Sequence, residues 1–164
     1  METTATRLLR ALTATPEFNL AVFALLLNFP WEVLQAPLFE GMAAAPHSAA
    51  IGACVQATLG DVVIMLLAHA SVVVVTRRRR WVLAPSQGEV AGFLVVGVAL
   101  TAIIEWLATR GHWAQTWAYS SARLVIPGIG LGLSPLLQWV IVPPMVLWFV
   151  RRQSAHAGVV DGQA

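Results

Sequence analysis

The sequence predicts an all-α fold: a polytopic membrane protein, built as a bundle of four transmembrane helices with both termini cytoplasmic. Three observations predict it. Apolar residues make up 58 % of the 164 and charged residues only 11 %, with a mean hydropathy of +0.73; a soluble domain carries about 25 % charged residues. The apolar residues gather into four stretches, each near the roughly 20 residues that a bilayer-spanning helix needs. All ten basic residues are arginines, and they lie outside those stretches. Disorder is excluded for most of the chain, because it requires low hydrophobicity and high charge. A soluble enzyme of ordinary composition is excluded as well.

The elements follow in order. Thr15, Pro16 and Glu17 form a helix start: a cap candidate, a proline in the first turn, then an acid. The first span runs over 18–39 and contains Pro30 and Pro37, which should kink it or end it early. It is read as a retained helix rather than a cleaved signal, since Glu32, Gln35 and Glu40 interrupt its apolar run. The second span covers 51–75 and stops at arginines 77 to 80. After a turn at Pro85, the third covers 89–107. A long aromatic connection then leads to the fourth span, 129–150, which ends at Arg151 and Arg152. Together 1–152 make one transmembrane domain, and 153–164 is expected to be a disordered cytoplasmic tail. Gly128 with Gly132, and Gly88 with Gly92, have the spacing that permits close helix approach.

Arginine asymmetry sets the orientation. With a cytoplasmic N-terminus, eight arginines (7, 10, 77 to 80, 151 and 152) face the cytoplasm and two (Arg110 and Arg123) face the other side. The expected location is the cell membrane, multi-pass, of the bacterial inner-membrane kind. The arginines cluster at the ends of spans, so they carry topology, and no nucleic-acid partner is expected. Cys54 is alone, which excludes an intrachain disulfide and a Cys-rich metal site. No metal and no cofactor are implied.

Acids inside spans are costly and usually face a bundle interior or a water-filled cavity. Asn28, Glu32 and Gln35 share one helical face. Cys54, Thr58, Asp61 and Met65 share another, with His69 at its edge, an interfacial position by its nearness to the arginines. Thr101 and Glu105 pair on the third helix, and Ser134 and Gln138 on the fourth. Each helix thus brings a polar stripe, and a bundle can turn all four inward. At 1.5 Å rise per residue, Asp61 lies about 15 Å deep, near the midplane. Glu32 falls in the outer half and Glu105 near the outer end. The acids therefore converge on a pocket open to the non-cytoplasmic side.

The stretch from Glu105 to Trp139 carries Glu105, Gly111, Trp113, Trp117, Tyr119, Ser120, Pro127, Gly128, Ser134, Pro135, Leu136, Gln138 and Trp139. A membrane acid, a Gly-x-Trp turn, a Trp/Tyr pair and a Pro-Leu-x-x-Trp helix resemble the small carotenoid-modifying membrane proteins, the hydratases and small lycopene cyclases. That resemblance covers about a fifth of the chain and implies acid chemistry on a polyene within the bilayer.

Three functions stay open at this point. The first is an acid–base enzyme acting on, or a protein binding, a lipid or isoprenoid. A carboxyl in a low-dielectric site can hold a proton near neutral pH. Glu32, Asp61 and Glu105 are then the candidate catalytic acids. Asn28, Gln35, Trp113, Trp117, Tyr119 and Gln138 are the candidate substrate-binding residues, the aromatics stabilising a carbocation. The second is a proton- or cation-binding transport protein, which would need a homo-oligomer to form a pore. The third is a structural or assembly subunit bound to a membrane partner.

Overall fold

The computed structural model describes residues 3, 4, 6, 13–113, 116–121 and 124–161, with side chains as far as Gln153. Arg7, Arg10 and Arg123 lie outside the described residues. Four helices carry the fold: α1 (Pro16–Gln35), α2 (His47–Thr76), α3 (Gln87–Thr109) and α4 (Leu133–Asp161). All four are long and apolar enough to cross a membrane. Among the described residues there is no strand, only isolated bridges between Phe39 and Tyr119 and between Val125 and Gly132. The protein is an all-helical, multi-pass membrane protein. α1 packs on α2 and α4, and α3 packs on α2 and α4, so the helices form a ring with α1 and α3 on its diagonal.

Local chemistry sets the boundaries. Pro16 occupies the first turn of α1, where its missing N–H is no loss. Pro30 does not end that helix, which runs on to Gln35. The chain leaves α1 through a short 3-10 turn, Ala36–Leu38, that takes up Pro37. α2 stops at Arg77, which adopts φ 59°; a left-handed residue caps a helix by turning the chain away. α3 opens on a capping box, in which Ser86 accepts from the Glu89 N–H and the Glu89 carboxylate accepts from the Ser86 N–H. Glu89 also takes both its oxygens to Arg78 Nη1, at 2.8 and 2.9 Å. The last helix begins at Leu133 rather than 129, because Gly128 and Gly130 sit at φ 84° and 75° in the preceding turn. It also continues through Asp161, past the expected end of the span at Val150 and into the segment expected to be a disordered tail. No proline breaks it there, and Ala155 and Ala157 favour the helix. Pro143 and Pro144 lie inside α4, Pro143 fully buried.

The interior has two tiers. Toward the Arg77 end it is apolar, built from Leu20, Ala24, Met65, Ala68, Val72, Trp81, Phe93, Trp139, Val142, Val146 and Val150. Toward the other end it is polar, with Asn28, Glu32, Gln35, Thr58, Thr101, Glu105 and Gln138 all buried. Outward-facing Leu34, Val75 and Val95 are 78, 81 and 67 % exposed, the apolar surface a bilayer covers.

Two expectations change. His69 keeps its place toward the arginine end but is buried there: it is 2 % exposed, stacked on Trp81 at 5.7 Å, with Nε2 3.7 Å from the Glu17 carboxylate. Gly88, Gly92 and Gly128 do not make the close helix contacts their spacing suggested. Gly88 and Gly128 have no neighbour where a Cβ would stand, and at Gly92 the nearest atom is a Val72 methyl at an ordinary 3.8 Å. The close approach is at Gly97, where a Cβ would overlap the Trp139 indole.

Candidate functional site

The polar tier is a hydrogen-bonded cluster drawn from three helices, and Gln138 is its hub. Its side-chain amide donates to Asn28 Oδ1 at 2.9 Å, to Glu32 Oε1 at 3.2 Å and to Asp61 Oδ2 at 2.8 Å. Two amide hydrogens thus serve three acceptors on two neighbouring helices. Gln35 Nε2 adds a donor to Glu32 Oε1 at 2.6 Å, and Ser134 Oγ donates to Gln35 Oε1 at 2.6 Å. The spacing that put Asn28, Glu32 and Gln35 on one face, and Ser134 and Gln138 on another, is what lets the stripes meet. Gln138 thereby brings the Glu32 and Asp61 carboxyls onto one amide group.

Glu105 belongs to a second group. Its Oε2 accepts from Trp117 Nε1 at 3.0 Å and from the Tyr119 hydroxyl at 2.7 Å. The Tyr119 oxygen accepts in turn from the Gly132 N–H at 3.1 Å. This ties the connection between α3 and α4 down over the bundle end. The connection is also stitched to the chain after α1: Glu40 N–H donates to the Ala118 carbonyl at 2.9 Å and Ser120 N–H to that of Leu38 at 3.0 Å. Phe39 packs edge-on to Trp117 at 6.3 Å beneath that bridge.

Between the cluster and this roof lies a cavity of about 1120 Å³. It occupies the space between α2, from Ala53 to Leu67, and α3, from Leu100 to Glu105. Glu32, Gln35, Asp61 and Gln138 stand in its wall, with Glu105, Trp113 and Trp117 at the roofed end. Asn28 and Tyr119 do not line it; they stand behind Gln138 and Glu105 as hydrogen-bond partners. The opposite end is apolar, with Val63, Ile64, Leu67 and Leu100. Leu59, Val63 and Leu67 are wall residues and at the same time about half exposed, so the cavity opens sideways along α2.

Two further wall residues stood on the expected inward stripes without being given a role. Cys54 is buried in the wall, its thiol donating to the Glu32 carbonyl at 3.7 Å. Thr101 was noted only for its spacing to Glu105. Among the described residues, no three His, Cys, Asp or Glu side chains come together as metal ligands would.

Tyr119→Phe removes the hydroxyl that joins Glu105 to Gly132. The expected result is an intact bundle with a loosened roof, weakened by about 1–2 kcal/mol. Limited proteolysis within 110–132 should quicken while the melting of the helices stays near wild type.

Comparison of the chain with known protein families, with curated proteins and with solved structures finds no match.

Proposed function

We propose that the cavity holds a lipid or isoprenoid chain within the bilayer, and that Glu32 and Asp61 form an acid–base pair acting on it. The observation that carries this reading is the placement of one carboxyl–amide cluster on the wall of an otherwise apolar cavity that opens sideways between α2 and α3. Its volume is of the order that encloses small organic ligands, roughly 300–1,000 Å³. A sideways opening among leucine and valine faces hydrocarbon, which suits an apolar chain better than a hydrated ion.

A proton held by this carboxyl pair would supply the acid, and Gln138 and Gln35 hold the oxygens in place. Glu105 is engaged by Trp117 and Tyr119, and in this reading it anchors the roof. Trp113 and Trp117 present aromatic surface to the roofed end, where cation–π contact would stabilise developing positive charge. The residues whose pattern resembles carotenoid-modifying proteins supply the roof and part of one wall, and a polyene is the ligand that resemblance implies. Toward the Arg77 end the buried polar side chains are Asn19, His69 and Glu89, and the apolar core lies between them and the cluster, which speaks against a conduction path through one bundle. With the termini cytoplasmic, the roof lies on the non-cytoplasmic side of the cell membrane.

Asp61→Asn and Glu32→Gln test the reading. Each keeps the shape and removes a charge from a buried site, so stability should stay at wild type or rise. The infrared band of a protonated carboxyl, present in the wild type at neutral pH, should vanish in either variant. Lipid extracts of cells expressing the wild type should contain a converted product that both variants lack. Extracts that match between wild type and Asp61→Asn would end the acid–base reading.

A further inference from the structure

The cavity wall holds a polar group that the protein itself leaves without a partner. Thr101 is about nine-tenths buried and its hydroxyl makes no hydrogen bond. Four other hydroxyls within α2 and α3 behave differently. Those of Thr58, Ser71, Thr76 and Thr109 each donate to the carbonyl four residues back, at 2.8, 2.9, 2.8 and 2.7 Å. That local bond is the ordinary resort of a helical threonine in apolar surroundings. Thr101 forgoes it, although a valine of nearly the same shape would fill the position without an orphaned hydroxyl. A buried hydroxyl without a partner is destabilising, so its partner is to be sought among what the cavity binds. The hydroxyl oxygen is itself sealed from the cavity; in a helix threonine has two rotamers open to it, and one step of χ1 exchanges hydroxyl with methyl and so presents the oxygen to an occupant.

We infer that the occupant of the cavity is an oxygen-bearing chain, an alcohol, aldehyde or ketone of a lipid or isoprenoid, whose oxygen pairs with the Thr101 hydroxyl. This rests on the reading that the cavity holds a lipid, and narrows it. The layout agrees. Thr101 stands one helical turn from Glu105, toward the level of Asp61, while the far end by Leu67 offers only apolar surface. An amphiphile with its oxygen near the acids and its hydrocarbon toward Leu67 matches both ends. A pure hydrocarbon would leave the hydroxyl unpaired.

The test uses the full chain in lipid nanodiscs and two probes of one skeleton: retinol, and anhydroretinol, which lacks the oxygen. Binding is read by energy transfer from the protein's tryptophans. Wild type should bind retinol about tenfold more tightly than anhydroretinol, the range one well-made hydrogen bond can supply. Thr101→Val should fold as wild type, weaken retinol about three- to tenfold and leave anhydroretinol unchanged. Thr101→Ser should restore the preference. Thr101→Ala serves should the valine variant misfold. An unchanged retinol preference in Thr101→Val or Thr101→Ala overturns the inference and leaves the lipid reading standing. Failure of wild type to bind either probe overturns both.

Discussion

Gln138→Leu is expected to destabilise the bundle by about 2–4 kcal/mol. An interhelical hydrogen bond within a bilayer contributes about 0.6 kcal/mol on average and up to about 1.7. Gln138 serves acceptors on Asn28, Glu32 and Asp61 at once. Leucine fills the volume but supplies no donor, so three oxygens lose a partner. The loss should be read from unfolding in mixed detergent micelles. Adding Asp61→Asn should recover part of it, because the new amide brings its own donors. A midpoint unchanged by Gln138→Leu would mean that the cluster is held by other donors.

Gly97→Ala is the second large effect, about 3 kcal/mol through overpacking. The new Cβ would stand inside the Trp139 indole. That ring is 2 % exposed and already packed edge-on against Phe93 at 6.0 Å, so it has little room to withdraw. α3 and α4 must part or Trp139 must leave its rotamer. The double variant Gly97→Ala with Trp139→Leu should be clearly more stable than the two single losses summed, the mark of two residues sharing one space. Purely additive losses would show that the contact is not tight.

The four spans were legible because bilayer thickness imposes a length on apolar runs, and that length is written directly in the composition. The polar stripes were legible for a related reason: residues four apart share a face, so Glu32 with Asn28 and Gln138 with Ser134 could be assigned inward. Which stripe bonds to which could not be read, since it depends on helix order and rotation. The Gly97 notch was missed because spacing compares glycines with one another, whereas its partner is a tryptophan 42 positions away. The bond from Glu105 to Tyr119 depends on the course of an irregular connection, which no periodicity encodes. The Ser86 and Glu89 capping box was in plain view as a Ser-x-x-Glu pattern before an apolar run, and it went unread beside the louder proline and glycine turn.

The paired prolines of α4 divide that helix mechanically. Pro143 and Pro144 have no N–H, so the carbonyls of Trp139 and Val140 receive no bond from within the helix. A rod missing two consecutive ties is most compliant there. The compliant point falls at the boundary between the tiers, just beyond Gln138 and before Val146 and Val150, which are sealed in the apolar core. Bending at that joint would move Ser134 and Gln138 relative to Glu32 and Asp61 only by carrying Trp139 with them out of its contact with Gly97 and Phe93. The hub of the polar cluster is thus mounted on the softer arm of a hinged lever, whose anchored arm lies toward the arginines.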